Sequence, residues 1–256
     1  MKLLATDYDG TLKYAKHIMP EDLQAIQDWK KAGNLFVLCT GRSMESIETQ
    51  AKQYDLPADY YITNNGGMVF DREGHELLSY YLDIVTAVDI IYAAKQEEGV
   101  ASVVINDGVH RHKMTIDESI TDRRYPEMQS DMSVDDLINT QKIAQIVISM
   151  SEQNLAVTLA ENINMFFGEI VVAYANNFVV DVVPKGVSKA TGLEFVVEYT
   201  NTNEEDVYTI GDSYNDIPLM TYGYHGACME MADEAVKENA SVFYESVGSM
   251  IHTILK

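Results

Sequence analysis

Short apolar runs alternate with amphipathic stretches at both ends of the chain. Leu3 to Thr6 reads as a buried strand, and Pro20 to Ala32 as a helix with Leu23, Ile26 and Trp29 on one face. Pro20 suits a first helical turn and Gly33 a helix stop. Leu35 to Cys39 is again a strand, Ser43 to Tyr54 a helix and Tyr60 to Thr63 a strand. The pattern resumes with a helix over Ser188 to Glu198, a strand over Val207 to Ile210 and a short helix over Ile217 to Tyr222. A strand near Gly226 to Met229, a helix near Ala232 to Glu238, a strand at Val242 to Tyr244 and a helix from Ser246 complete it. Such alternation predicts an α/β fold with a doubly wound parallel sheet.

The middle of the chain follows another pattern. Ile84 to Gln96 is helical, and Val100 to Ile105 strand-like, with Asn106-Asp107-Gly108 turning into a second strand over Val109 to Met114. Ile143 to Met150 reads as a strand and Glu152 to Glu161 as a helix. Glu169 to Tyr174 and Phe178 to Val183 flank a second hairpin signal at Asn176-Asn177. Hairpins mean antiparallel pairing, so 81–184 is expected to be an α+β insert dividing a core domain made of 1–80 and 185–256.

Composition narrows the function. The 256 residues carry 40 acidic against 18 basic side chains, a formal charge of -22. Phosphate backbones need a basic footprint, so nucleic acid and anionic membrane surfaces are excluded as expected partners. A small phosphorylated ligand is not excluded, because one local cation overrides a global field. Cys39 and Cys228 each sit in an apolar stretch and read as small buried hydrophobes. The first strand begins at once and leaves no room for an apolar leader, and no apolar run reaches membrane-spanning length. A cytoplasmic location is therefore expected.

Five segments carry the candidate chemistry, and each follows a predicted strand or the return from the insert. Asp7-Tyr8-Asp9-Gly10-Thr11 places two carboxylates after the first strand, where open α/β sheets bind ligands. Thr40-Gly41-Arg42-Ser43 offers a hydroxyl and backbone amides at a helix start, suited to a phosphate. Asn64-Asn65-Gly66-Gly67 reaches the same edge, and Gly211-Asp212-Ser213-Tyr214-Asn215-Asp216 adds two carboxylates. Asp7, Asp9, Asp212 and Asp216 together would repel one another, and hard oxygen ligands at that density call for Mg²⁺. In Lys185-Gly186-Val187-Ser188-Lys189, Ser188 can cap a helix and place Lys189 in its first turn. The helix dipole disfavours a cation there, so Lys189 reads as a charge meant for an aspartate and a phosphate. His110 and His112, two apart on one predicted strand, read as surface residues and not as metal ligands.

Asp7-Tyr8-Asp9-Gly10-Thr11, Thr40, Lys189 and Gly211-Asp212-Ser213-Tyr214-Asn215-Asp216, in that order along the chain, resemble the first to fourth motifs of the haloacid dehalogenase superfamily, and the insert resembles the α+β cap of its Cof-type, class IIB branch. Gly67 stands where the family usually has another small residue. The resemblance implies that Asp7 is a nucleophile forming an aspartyl phosphate and that Asp9 is the general acid and then base. It implies that Mg²⁺ is bound by Asp7, the backbone carbonyl of Asp9 and Asp212, supported by Asp216, and that Mg²⁺ and Lys189 keep the Asp7 carboxyl acidic. Thr40, Gly41 and Asn215 would hold the phosphoryl oxygens, with Arg42 and Asn65 on the substrate side. The implied activity is a Mg²⁺-dependent phosphatase for small phosphorylated metabolites such as sugar phosphates. A phosphosugar mutase of the same mechanism and a non-catalytic phospholigand-binding regulator are the alternatives. Oligomeric state is not legible.

Overall fold

A computed structural model describes residues 1–140 and 142–256, apart from the side chains of Val134 and Ile138. The chain forms two compact units, Met1–Leu78 with Ser188–Lys256, and Ser79–Val187 between them. The expected insert bounds were 81–184.

In the first unit the chain runs β1 (Leu3–Asp7), α1 (Pro20–Lys31), β2 (Leu35–Cys39), α2 (Met44–Tyr54), β3 (Tyr60–Thr63), β4 (Met68–Asp71) and β5 (Glu76–Ser79). The second unit holds α3 (Ile84–Ala94), β6 (Val100–Asn106), β7 (Arg111–Thr115), α4 (Val134–Asn139), β8 (Gln145–Met150), α5 (Gln153–Phe167), β9 (Val171–Asn176) and β10 (Val179–Pro184). The first unit then resumes with α6 (Lys189–Tyr199), β11 (Val207–Gly211), α7 (Ile217–Met220), β12 (His225–Met229), α8 (Glu234–Lys237), β13 (Phe243–Tyr244) and α9 (Val247–Ile254).

The sheet of the first unit has the strand order β13-β12-β11-β1-β2-β3-β4-β5. It is parallel from β13 through β3, and β4 then pairs antiparallel with β3. The β4–β5 hairpin departs from the expected all-parallel sheet. Met68-Val69-Phe70 is too short a run to separate from loop by periodicity, and pairing with β3 decides it. Leu3, Ala5, Val37, Ile62 and Val207 are all fully buried beneath α6, whose Leu193 and Val196 pack on them. The Leu, Ile and Val side chains contribute roughly 1.5–3 kcal/mol each by leaving water. Trp29 Nε1 of α1 donates to the Leu35 carbonyl at 2.8 Å, fixing that helix against β2.

The second unit is a five-stranded antiparallel sheet, β7-β6-β8-β10-β9, with one face packed on α3, α4 and α5. Both hairpin signals form turns. The first is longer than expected, because the Asp107 carboxylate accepts from the Val109 and His110 amides and delays β7 to Arg111. Helix α5 outruns its expected end at Glu161, since no breaker intervenes before Gly168. The short helix α4 has no counterpart in the sequence reading. Its capping box joins Ser133 and Asp136. No helix among the described residues is long and apolar enough to cross a membrane.

Candidate active site

The strand register brings the loops together. Asp7, the last residue of β1, lies beside Cys39, so Thr40 begins one residue past the neighbouring strand. On the other side Thr6 pairs with Ile210, which puts Gly211 level with Asp7 and Asp212 one step beyond. Parallel pairing thus delivers the first, second and fourth motifs to one sheet edge.

Lys189 opens α6 behind the Ser188 cap, whose Oγ accepts from the Thr191 amide. Close packing against the β3 loop sets its position. Gly66 has φ +100°, and a Cβ there would stand 1.8 Å from the Ser188 carbonyl oxygen. Only glycine permits that approach, so Gly66 docks the Asn64–Gly66 turn onto the start of α6.

The side chain of Lys189 is 1% exposed, and its Nζ donates to Asp7 Oδ1 and Asp216 Oδ1, both at 2.5 Å. Asp216 Oδ2 accepts from the Asp212 and Ser213 amides at 3.1 Å. Thr11 Oγ1 donates to Asp212 Oδ1 at 2.6 Å. One carboxylate oxygen from each of Asp7, Asp212 and Asp216 lies within 4.8 Å of the others. Three carboxylates therefore face one ammonium, and the buried Asp7 Oδ2 has no hydrogen-bond partner. An orphaned carboxylate oxygen amid excess negative charge fits a hard divalent cation.

The electrostatics agree. Burial, reinforced by the Asp216 charge, pushes the Asp7 carboxyl well above the usual range, although Lys189 pulls it down. Without metal, Lys189 alone does not offset burial and the neighbouring carboxylates. Asp212 is pushed up to about 6, by burial first and Asp216 second. Burial by itself would lower Lys189, but the charges of Asp216 and Asp7 reverse that and hold it above its ordinary value.

Asp9 stands apart from this cluster. Arg42 forks onto it, Nε to Oδ2 at 2.6 Å and Nη2 to Oδ1 at 2.7 Å, and Arg42 Nη1 reaches Ser46 Oγ at 3.2 Å. Arg42, expected on the substrate side, thus sits on the expected general acid. Thr40 is buried, and its Oγ1 accepts from the Arg42 amide at 3.1 Å. A Cβ on Gly41 would meet Asn65 Oδ1 at 3.0 Å. Asn65 is buried, its Oδ1 accepts from Asn215 Nδ2 at 2.9 Å, and its Nδ2 has no partner. The sequence reading left Thr11, Ser46 and Ser213 without roles. Thr11 lay inside a quoted motif, but its partner is 201 residues away and only the fold reveals it.

Outside the site, Cys39 and Cys228 are free and buried. His112 Nδ1 meets Asp131 at 3.0 Å, and neither His110 nor His112 belongs to a candidate metal group among the described residues.

The profile of the haloacid dehalogenase-like hydrolases matches residues 4–249. The chain belongs to that family. Its fold recurs in a HAD/Cof-like hydrolase from Plasmodium vivax, with a TM-score of 0.85 at 19% identity over 100% of this chain and 95% of that one. It recurs also in the subclass IIB sugar phosphatase BT4131, with a TM-score of 0.82 at 19% identity over 100% and 98% of the two chains. In sequence it is 26% identical over 250 residues to the 5-amino-6-(5-phospho-D-ribitylamino)uracil phosphatase YitU of Bacillus subtilis, covering 93% of this chain and 90% of the relative. This haloacid dehalogenase-like protein is an enzyme, a hydrolase of the phosphatase kind.

Proposed function

We propose that the chain is a Mg²⁺-dependent phosphatase that hydrolyses small phosphorylated metabolites, sugar phosphates foremost, through an aspartyl phosphate on Asp7. The observation that carries this reading is the buried Lys189 bridging Asp7 and Asp216 while Asp7 Oδ2 has no partner. Relatives that are phosphatases, one of them a sugar phosphatase, support the substrate class.

Asp7, Asp212 and the backbone carbonyl of Asp9 would hold Mg²⁺, with Asp216 supporting them. Bound there, Mg²⁺ neutralises phosphoryl oxygens and keeps the carboxylates ionised. Asp7 attacks phosphorus, a new O–P bond forms, and the ester O–P bond breaks as Asp9 gives its proton to the leaving alcohol. Asp9 then takes a proton from water, which attacks phosphorus, releases inorganic phosphate and restores Asp7. Lys189, Thr40, the Gly41 amide and Asn215 hold the phosphoryl group, with Asn65 orienting Asn215. The Arg42 fork holds both oxygens of Asp9. Substrate oxygens that draw Arg42 away free Asp9 to reach the leaving oxygen. The inserted unit is the cap that reads the leaving group and sheds water. A cytoplasmic location fits two buried free cysteines.

The test is initial-rate phosphate release from a panel of phosphate esters with Mg²⁺, comparing the parent protein with Asp7→Asn. Loss of activity by at least about 10³-fold is expected, since the nucleophile is removed. Equal rates refute the reading, and isomerised sugar phosphate in place of free phosphate makes the enzyme a mutase.

A further inference from the structure

We propose a second anion site on the inserted unit, built around Arg123, that takes the phosphoryl group of a small molecule. Three of the chain's five arginines, Arg111, Arg123 and Arg124, fall within one stretch of a chain whose formal charge is -22. They are not spread over the surface. The Arg123 guanidinium lies 4.4 Å from the centre of the Phe178 ring, and those of Arg111 and Arg124 lie 5.3 Å and 5.8 Å from the centre of Tyr125. A guanidinium held over a ring carries its N–H groups at its edges, which can bind oxyanions in bidentate fashion.

The loop that carries these groups is anchored. Asp122, next to Arg123, is half-buried, and its carboxylate accepts from Lys113 Nζ at 2.8 Å, Ser102 Oγ at 2.6 Å and the Arg124 and Tyr125 amides at 3.0 and 2.9 Å. Lys113 Nζ also donates to the Tyr125 carbonyl at 2.7 Å. Arg123 and Arg124, with Asn176, Asn177, Phe178 and Val179, line a cleft of about 170 Å³. That volume admits a phosphate and a few further atoms. Asn177 Nδ2 donates to Asn176 Oδ1 at 3.0 Å, and the Asn176 amide nitrogen is a neutral donor beside the cations. Within this unit the cleft sits where β10 begins, and the chain leaves the unit past the other end of that six-residue strand. At about 3.4 Å per residue the two ends are roughly 20 Å apart.

The experiment is calorimetric titration of the full chain in an Asp7→Asn background with divalent metal chelated, so that neither turnover nor a metal-held phosphate contributes. The probes are inorganic phosphate and glycerol phosphate, compared with Arg123→Gln and Arg123→Lys. Binding of inorganic phosphate that weakens at least tenfold in Arg123→Gln, and nearly as much in Arg123→Lys, supports the site with free phosphate as its ligand. The same dependence seen with glycerol phosphate alone supports it with a phosphorylated metabolite as ligand. Absence of binding by both probes, or binding indifferent to Arg123, overturns it. Should Arg123→Gln fail to fold, phosphate-induced shifts of the arginine side-chain NMR signals in the Asp7→Asn protein decide the matter, and unchanged signals overturn the site. Because no hydrolysis is measured, failure here leaves the phosphatase reading intact, and inactivity of the enzyme leaves this site intact.

Discussion

Replacing Lys189 by Met keeps the volume of the side chain and removes its charge. Lys189 is 1% exposed and its ammonium is shared by Asp7 and Asp216. Asp216 retains two backbone amides, whereas Asp7 loses the partner of its Oδ1 and already lacks one at Oδ2. Water cannot solvate the excess charge, so the cluster takes up one further proton in place of the lost cation. Holding one carboxyl neutral at pH 7 against an ordinary value near 3.9 costs about 4 kcal/mol, at 1.36 kcal/mol per pH unit. At pH 5 the same proton costs about 1.5 kcal/mol. The sign follows from proton count: the folded variant binds a proton that its unfolded chain releases, so its stability falls as pH rises. Urea unfolding of Lys189→Met and the parent protein with metal chelated, at pH 5 and pH 7, should therefore give a stability difference larger at pH 7 by about 2–3 kcal/mol. A difference that is the same at both pH values, or below about 1 kcal/mol at pH 7, refutes the charge balance drawn for this cluster.

Gly66→Ala should destabilise the protein by about 3 kcal/mol or more, because its left-handed backbone resists a side chain and the Cβ would strike the Ser188 carbonyl; a denaturation midpoint equal to the parent's would contradict the docking of that turn on α6. Mg²⁺ should raise the thermal midpoint at pH 7.5 but much less at pH 5. Asp212 titrates near 6, so the metal-free fold loses stability as pH climbs through that value, and the ion binds the carboxylate formed there. Differential scanning fluorimetry checks it, and an equal gain at both pH values counts against Asp212 as a ligand. Arg42→Gln should lower kcat by about tenfold or more, since Asp9 loses the fork that orients it; an unchanged kcat separates the fork from the chemistry.

Much was legible in the chain because it depends on near neighbours. Apolar runs marked β1, β2, β3 and β11, since a strand buried on both faces is continuously hydrophobic. Ser188 and Ser246 sat where helix caps belong, and Asn177 where a hairpin needs a left-handed residue. The loop residues could be named because turns after parallel strands share one sheet edge. Partner choice within the site was not legible. Arg42 could face a phosphate or Asp9, and packing turned it onto Asp9. Thr11 and Asp212 meet across 201 residues, a contact that no local pattern encodes. The acidity of Asp7 was beyond the chain as well, because burial and the distances to Asp216 and Lys189 set it, and these are properties of the folded molecule. Local sequence chose which side chains stand at the edge; long-range packing chose which of them touch, and hence which proton is held where.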